Sequence, residues 1–346
     1  MHVGMNRGVS MNKSLISFVI TSFNQRDFIL NAVAAAFAQT YRPLEIIVAD
    51  DHSTDGSVAE LKKLIDEYKS NGGPHDILLH VNDVNQGVLR NCEAAFAMAR
   101  GELIVLGGGD DVSHVDRVET IARHWVEAGK KPTLVFHDVQ MVDINGKPLN
   151  KEYWQPSVRN PLGAAMAFSP VVVKEFSRSV VPSGYEDNVF ARRAFAFGDP
   201  LYLSEKLVDY RQGAGSTTAG ARRDCRRRIS HAMVGAARQS LLDVEEVKGR
   251  IPVARYENIR AMMEDVLAEY TSEYAMVTER SLVRRLRALM CYAQYQRQQE
   301  RFGVQRLLFS SLPLAVPSLS GLLSLIYRIC RQTKHMVKAC VVKKSS

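Results

Sequence analysis

The chain has 346 residues, of which 46% are hydrophobic and 24% charged, a composition that excludes disorder throughout and predicts about two globular domains. Its net charge of +8 is unevenly distributed, because residues 1–221 carry −4 and residues 222–346 carry +12. This asymmetry argues against a uniformly basic nucleic-acid-binding protein. The five cysteines contain no Cys-x-x-Cys pair, which argues against a disulfide scaffold or zinc site and favours a reducing compartment.

Apolar runs typical of strands alternate with helical patterns through the first 130 residues. The predicted strands are Leu15–Ile20, Leu44–Ala49, Ile77–Val81 and Leu103–Leu106. The predicted helices are Phe28–Phe37, Ser57–Tyr68 (with a capping-box pattern, Ser57-x-x-Glu60), Val88–Ala99, and one from Ser113 to Glu127. Because strands separated by helices form βαβ units, we expect a mostly parallel, Rossmann-like α/β sheet flanked by helices.

The pattern changes after Pro132. A strand at 134–143 followed by Asn145-Gly146 predicts a β-hairpin, and the Gly/Ser/Thr-rich stretch 213–220 predicts a mobile loop. Residues 222 to about 301 have a helical pattern, and the tail is apolar, then basic. We therefore predict four segments: a leader at 1–14, an α/β domain at 15–221, a helical C-terminal region at 222–303 and a tail at 304–346.

Three polar clusters directly follow predicted strands: Thr21–Asn24, Asp50–Ser53 and Gly109–Asp111. Ligands of open α/β sheets bind outside the carboxyl ends of the strands. We therefore expect these clusters to converge on one crevice, although the strand order is open at this stage.

The acidic pairs in these and later segments each have two interpretations. Asp110-Asp111 could bind Mg²⁺ or Mn²⁺ through hard oxygen ligands, or could cap a helix. Asp50-Asp51 could accept hydrogen bonds from a nucleobase or ribose, or could serve only the turn. Glu186-Asp187 could supply a general base, or could complement the dipole of the helix that it opens.

In this order and spacing, the segments resemble family 2 glycosyltransferases of the GT-A fold. The matching stretches are Ile16–Ser57 (ISFVITSFNQ…VADDHSTDGS), Asn85–Val112 (NQGVLRNCEA…LGGGDDV) and Gly184–Arg211 (GYEDNVFARR…LVDYR). Together they cover about 200 residues, which makes the resemblance much more specific than any single motif.

The resemblance implies a role for each matching residue in binding a nucleoside-diphosphate sugar. Thr21 and Phe23 would form the wall of the nucleobase site, and Asp51 would bind the base. Asp110 would face the ribose.

The resemblance also implies the residues of the transfer step. Asp111 would coordinate a divalent cation, Mg²⁺ or Mn²⁺, at the diphosphate, and Asp187 would be the general base, with Glu186 the weaker choice. Arg211 would neutralise phosphate charge. One departure concerns Gly108, where many members carry an acid, and this weakens the expectation of metal dependence. Another is Gln212, which stands where many relatives have a basic or imidazole side chain.

These roles imply sugar transfer to an acceptor hydroxyl with inversion, in surface polysaccharide or glycolipid synthesis, with a glycan or lipid-linked glycan as acceptor. The alternatives are a catalytically degenerate assembly protein and a nucleotidylyltransferase.

The location implied is cytoplasmic. The uncharged stretch 307–327 and the basic residues after it could span a membrane, lie in its interface or pack on the body. We therefore include an anionic surface, the cytoplasmic face of the inner membrane, as a candidate partner.

Overall fold

The computed structural model describes residues 13–150, 155–181, 184–212 and 222–278, together with 283–284 and 288–289. Two compact units lie within these residues. The first is drawn from residues 1–216 and 239–260, and the second from 217–238 and 261–346. Residues 239–260, which belong to the predicted helical region, therefore form part of the same unit as the sheet.

The first unit is built on an eight-stranded sheet with the order β3-β2-β1-β4-β7-β6-β8-β5. The strands are β1 (Ile16–Ser22), β2 (Leu44–Asp50), β3 (Asp76–Val81), β4 (Leu103–Gly108), β5 (Val112–Ser113), β6 (Leu134–Val142), β7 (Met166–Phe168) and β8 (Pro200–Arg211). Strands β3, β2, β1 and β4 are parallel, as are β6 and β8, whereas β7 and β5 pair antiparallel with their neighbours. The predicted mostly parallel sheet is confirmed.

Helices cover the sheet and extend through the second half of the chain. They are α1 (Arg26–Phe37), α2 (Ser57–Ser70), α3 (Val88–Met98), α4 (Arg117–Glu127), α5 (Val171–Lys174), α6 (Glu186–Phe197), α7 (Arg222–Glu246) and α8 (Val253–Thr278). Side chains Ile16, Phe18 and Ile20 of β1 pack with Ile29 and Val33 of α1 in the main buried cluster. This packing explains the nearly continuous apolar sequence of the central strands, which are covered on both faces.

The predicted capping box at the start of α2 is wrong. Gly56, at φ +93°, precedes the helix, and the Ser57 amide and hydroxyl both donate to the Asp55 carboxylate, the amide at 3.0 Å. Glu60 instead accepts from the Arg26 guanidinium at 2.6 Å. Gly56 holds the N-cap position, and Asp55, two residues before Ser57, accepts from the Ser57 amide at the start of the helix.

The predicted hairpin after β6 is confirmed only as a turn. The Asp143 amide donates to the Lys147 carbonyl at 2.9 Å, Gly146 has φ +82°, and Val142 forms a single bridge with Pro148. The long ladders of β6 are with β7 and β8.

The second unit contains the helical segments 222–238 and 261–278. Arg226 contacts the buried Glu273 at 3.0 Å, and the Ser230 hydroxyl donates to the same carboxylate at 2.9 Å. Burial raises the pKa of Glu273. Arg226 of the arginine-rich run is thus engaged within the protein. Among the described helices, none is both long enough and apolar enough to cross a membrane. The predicted loop 213–220 and the tail 304–346 lie outside the described residues.

Candidate active site at the carboxyl edge of the sheet

The polar clusters after β1, β2 and β4 lie side by side. In the strand register, Thr21 is opposite Gly108 and Ser22 is opposite Asp50. The Asp51 amide donates to the Ser22 carbonyl at 2.9 Å. The sheet therefore brings these three segments to one edge, where parallel α/β sheets bind ligands.

The two acids after β2 have different partners. Asp50 is fully buried and accepts from the Ser53 amide at 2.7 Å and the Ser53 hydroxyl at 2.6 Å, so it holds the turn. Asp51 is 2% exposed and accepts from the Gln86 and Gly87 amides, each at 2.8 Å, at the entry to α3. Asp51 thus joins the end of β2 to the loop before α3, and its proposed contact with a base would use the remaining acceptor capacity of its carboxylate.

Two buried asparagines extend this network and were missed by the sequence analysis. The Asn82 side-chain amide donates to the Asp51 carboxylate at 2.9 Å and to the Asn91 side-chain oxygen at 3.0 Å. The Asn91 amide in turn donates to the Ala49 backbone carbonyl at 3.0 Å. The sequence did contain a signal for Asn82, because it directly follows β3 just as Asp51 directly follows β2.

The loop after β1 is fixed from one side and open on the other. The Asn24 amide donates to the Ser53 hydroxyl at 2.8 Å, and Asn24 accepts from the Thr54 amide at 2.9 Å. Phe23 is 47% exposed on this loop. A fixed loop that presents an exposed aromatic ring is suited to stacking against a planar ligand group.

The glycines before Asp110 allow close approach of the backbone. A Cβ atom at Gly109 would lie 2.4 Å from the Gln25 side-chain oxygen and 3.0 Å from the Thr21 carbonyl. A Cβ atom at Gly108 would lie 2.9 Å from Asp111 Oδ2 and 3.1 Å from Asp110 Oδ1. Both carboxylates therefore converge on the space above Gly108.

These two carboxylates fit the chemistry of a divalent-cation site. Burial and the neighbouring Asp110 charge raise the pKa of Asp111 to about 8, and burial raises the pKa of Asp110. A cation would offset their repulsion. The buried Gln25 carbonyl oxygen beside them has no hydrogen-bond partner among the described residues. The described part of the chain contains no group of three potential metal-binding side chains, so a cation there would share its coordination with substrate or water.

Arg211, at the end of β8, lies against the acidic pair. Its backbone amide donates to Asp111 Oδ1 at 2.9 Å, and its guanidinium donates to the Asp110 and Ile144 carbonyls at 2.9 and 2.6 Å. The guanidinium also lies 5.0 Å from the Phe28 ring centroid. Arg211 is therefore placed beside Asp110 and Asp111.

A second arginine, Arg117, supports the site from within the core and was not singled out from the sequence. It is fully buried and donates to the Leu106 and Ala164 carbonyls, each at 2.8 Å, and to His137 at 3.1 Å. Burial lowers the pKa of Arg117 to about 9, while the Asp111 charge opposes this shift. The residue thus ties β4, which leads to Asp111, to the 3₁₀ turn Gly163–Ala165.

The remaining predicted acids, Glu186 and Asp187, open α6 and pack on that turn. A Cβ atom at Gly163 would lie 2.9 Å from Glu186 Oε1 and 3.6 Å from the Asp187 Cβ. Burial and then the Asp187 charge raise the pKa of Glu186 to about 8. Burial also raises the pKa of Asp187, against the opposing effect of hydrogen bonds from Asn188. Gly163 was missed because one glycine in a mixed segment carries no distinctive sequence signal.

Cys92 of α3 links the two halves of the site. It is fully buried, its thiol contacts the Thr21 side chain, and burial followed by the Glu186 charge raises its pKa well above the usual value. Thr21 is opposite Gly108 in the sheet. The structure therefore brings Thr21, Asp110, Asp111 and Arg211 together. The acid pair of α6 lies near Cys92, which contacts Thr21.

The position of α6 is fixed by a buried ionic cluster. Arg193 is 1% exposed and contacts Asp243 of α7 at 2.8 Å and Glu93 of α3 at 3.0 Å. The Ser179 hydroxyl also donates to Glu93 at 2.6 Å. A buried charge of this kind is tolerated only when it is fully paired, so α3, α6 and the end of α7 are held in one arrangement.

Comparison with known proteins identifies the family. Residues 17–183 match the family model described as glycosyl transferase family 2. The match assigns this segment of the chain to glycosyl transferase family 2. The matched segment contains the carboxyl edge of the sheet with Asp51, Asp110 and Asp111, and it ends just before Glu186 and Asp187.

Relatives of this chain include proteins from several bacteria. It is 26% identical over 225 residues to an uncharacterized glycosyltransferase of Nostoc sp., covering 60% of this chain and 67% of the relative. It is 26% identical over 210 residues to the succinoglycan biosynthesis protein ExoO of Rhizobium meliloti, covering 60% and 57%. The chain thus matches 57–67% of the length of these curated relatives.

Solved structures confirm the predicted GT-A fold of this chain. S. aureus TarS residues 1–349, in complex with UDP-GlcNAc, gives a TM-score of 0.56 at 14% identity and covers 87% of this chain and 89% of that one. The mannosyltransferase PcManGT from Pyrobaculum calidifontis, in complex with GDP-Man and Mn²⁺, gives 0.56 at 14% identity and covers 94% and 84%.

We expect Glu186→Gln to stabilise the protein increasingly as pH rises. The folded-state pKa of about 8 lies above the ordinary 4.5, so the folded chain retains a proton that the unfolded chain releases within this window. The free energy of unfolding of wild type therefore falls, relative to that of the variant, by up to about 1.4 kcal/mol per pH unit between these two pKa values. Urea unfolding at pH 5, 6, 7 and 8 measures the difference. Glu67→Gln on the exposed face of α2 is the control, and a pH-independent difference for Glu186→Gln would contradict the prediction.

Proposed function

We propose that the chain transfers a sugar from a nucleoside-diphosphate sugar to an acceptor hydroxyl with inversion of the anomeric centre. The observation that carries this proposal is the separation of two acidic groups with different surroundings. Asp110 and Asp111 converge above Gly108 beside Arg211, which suits a diphosphate and cation. Glu186 and Asp187 lie on Gly163 at the start of α6, which suits a general base.

In this proposal, each part of the site has a defined task. Phe23 and Thr21 form the wall against the nucleobase, Asp51 accepts from the base, and Asp110 accepts from the ribose hydroxyls. Arg211 offsets phosphate charge.

Asp111, with Asp110 beside it, would hold Mg²⁺ or Mn²⁺. A cation bound there would stabilise the negative charge that develops on the leaving diphosphate.

Asp187 would take the proton of the acceptor hydroxyl while that oxygen attacks the anomeric carbon from the face opposite the diphosphate. One displacement of this kind inverts the stereochemistry and requires only one base. Asp187 is half-buried at the start of α6.

We further propose a role in the synthesis of a surface polysaccharide or glycolipid at the cytoplasmic face of the membrane, with a glycan or lipid-linked glycan as acceptor. The relative ExoO, a succinoglycan biosynthesis protein, supports the polysaccharide context. TarS was solved with UDP-GlcNAc and PcManGT with GDP-Man, so both uridine and guanosine donors are candidates. In this view, the α/β domain at 15–221 forms the catalytic unit, and residues 239–260 complete it structurally.

A panel of UDP-, GDP-, dTDP- and CMP-sugars tests the proposal, with and without Mn²⁺. We expect one donor class to raise the melting temperature and to be slowly hydrolysed or transferred. Release of pyrophosphate from a nucleoside triphosphate and a sugar phosphate would instead identify a nucleotidylyltransferase. Nucleotide-sugar binding without hydrolysis or transfer to any glycan acceptor would indicate the degenerate assembly protein, and no response to any nucleotide would overturn the proposal.

A further inference from the structure

We propose that Asn188 and Arg192 are positioning residues that fix the Asp187 carboxylate and thereby select Asp187, rather than Glu186, as the general base. This inference rests on the proposed transferase function and assigns a task to two buried side chains of α6. Neither side chain needs to touch the substrate in this role.

The relay consists of three short hydrogen bonds along α6. Asn188 donates to Asp187 Oδ1 twice, from its backbone amide at 2.6 Å and from its side-chain amide at 2.7 Å. Arg192 donates to the Asn188 side-chain oxygen at 2.7 Å. The i, i+4 spacing of Asn188 and Arg192 places them on the same face of the helix. The guanidinium thereby fixes the orientation of the Asn188 amide, which in turn can only donate to Asp187.

Burial restricts the Asn188 side-chain amide to this orientation. Asn188 and Arg192 are both buried, at 5% and 2% exposure. A flipped Asn188 amide would place its oxygen against the Asp187 carboxylate and its NH₂ group against the guanidinium, so both contacts would become repulsive. The observed orientation is the one in which every partner is compatible with an ionised Asp187.

The adjacent Glu186 has a different environment. The groups that oppose its burial are backbone amides, whereas Asp187 has the Asn188 side chain and the Arg192 charge in addition. Among the described residues, Cys92 of α3 also faces the pair, and its thiol is neutral because burial raises its pKa well above the usual value. Burial raises the pKa of Asp187, but the Asn188 hydrogen bonds and then the positive charge of Arg192 oppose this rise, so the Asp187 carboxylate is the one favoured to ionise.

The neighbouring Arg193 shows why this role is specific to Arg192. Its guanidinium is instead paired with Asp243 of α7 and Glu93 of α3. Loss of Arg193 would therefore affect the packing of α6, whereas loss of Arg192 acts on the orientation and charge at Asp187.

The test compares Arg192→Gln, Arg192→Lys and Asn188→Ala in the full chain with the donor and acceptor that wild type uses. A base acts only when ionised, so removing the positive charge should move the acidic limb of kcat to higher pH, by about one unit. At a pH below the limb, kcat should fall about tenfold for Arg192→Gln and Asn188→Ala, and it should recover at high pH. The donor KM should stay within about twofold of wild type.

The conservative variant and a surface control separate positioning from simple destabilisation. Arg192→Lys keeps the charge and should restore the acidic limb toward wild type, while Arg123→Gln on exposed α4 should match wild type. The double variant Arg192→Gln/Asn188→Ala should shift the limb no further than either single change, since both act through one relay.

An equal loss of kcat at every pH, or an unshifted limb, would overturn the inference and leave Arg192 with a structural role. If Arg192→Gln does not fold, the limb of Asn188→Ala decides the question. Absence of transfer by wild type itself would refute the proposed function instead, so the two failures are distinguishable.

Discussion

Replacing Asp187 with Asn is expected to lower kcat for sugar transfer by about 10²–10⁴-fold, the usual contribution of a general base. The asparagine oxygen can still accept the two hydrogen bonds from Asn188, so the start of α6 should keep its structure. What the variant loses is the basicity needed to take the acceptor proton. Initial rates with saturating donor and acceptor measure the effect, and donor affinity should be nearly unchanged because the proposed diphosphate site is at Asp110 and Asp111.

Asp66→Asn on the exposed face of α2 is a suitable control, because it makes the same chemical change away from the site. Full transfer activity of Asp187→Asn would refute the base assignment. If Glu186→Gln abolished transfer while Asp187→Asn retained it, the base would be Glu186, the weaker choice from the sequence.

The central strands were predictable because burial on both faces requires a nearly continuous apolar sequence. Strands β1, β2, β3 and β4 were located to within one or two residues by this signal alone. Strands β5 and β7 contain two and three residues and are too short to show a periodicity. Their antiparallel pairing, and hence the position of Arg211 beside Asp111, could not be inferred from the sequence.

The site was predictable where it is continuous in sequence, and much less so where it depends on distant contacts. The segments after β1, β2 and β4 follow from the strand pattern. The supporting contacts join residues far apart in the chain, such as Arg117 with Ala164, or Asp51 with Gln86 and Gly87. No local propensity specifies such pairs.

Charge alone does not describe how the chain divides into compact units. The predicted sheet domain ends at residue 221, where the net charge changes from −4 before it to +12 after it. Two basic residues beyond it, however, pair with acids of the first unit: Arg250 contacts Glu175 and Arg255 contacts Asp199, each at 2.7 Å. Part of the positive charge of the C-terminal region therefore complements acids of the sheet unit.

Replacing Asp111 with Asn should abolish divalent-cation binding and reduce metal-stimulated transfer by at least about 10²-fold. The asparagine oxygen can still accept from the Arg211 amide at the position where Asp111 Oδ1 does so at 2.9 Å, so the end of β8 should be retained. The change removes one negative charge from the two that converge above Gly108, and a neutral amide is a much weaker ligand for Mg²⁺ or Mn²⁺.

Binding that favours the folded state raises its stability with ligand concentration, so wild type should show a melting temperature that rises with Mn²⁺ in the presence of nucleoside diphosphate. Asp111→Asn should lose this rise, whereas Asp66→Asn should keep it. Because this readout requires no turnover, it distinguishes loss of the cation from loss of the base, which should leave the rise intact in Asp187→Asn. A Mn²⁺-dependent rise that persists in Asp111→Asn would instead place the cation on other residues. Gly108, which stands where many family members carry an acid, would then mark a site that binds the diphosphate through Arg211 and backbone amides alone.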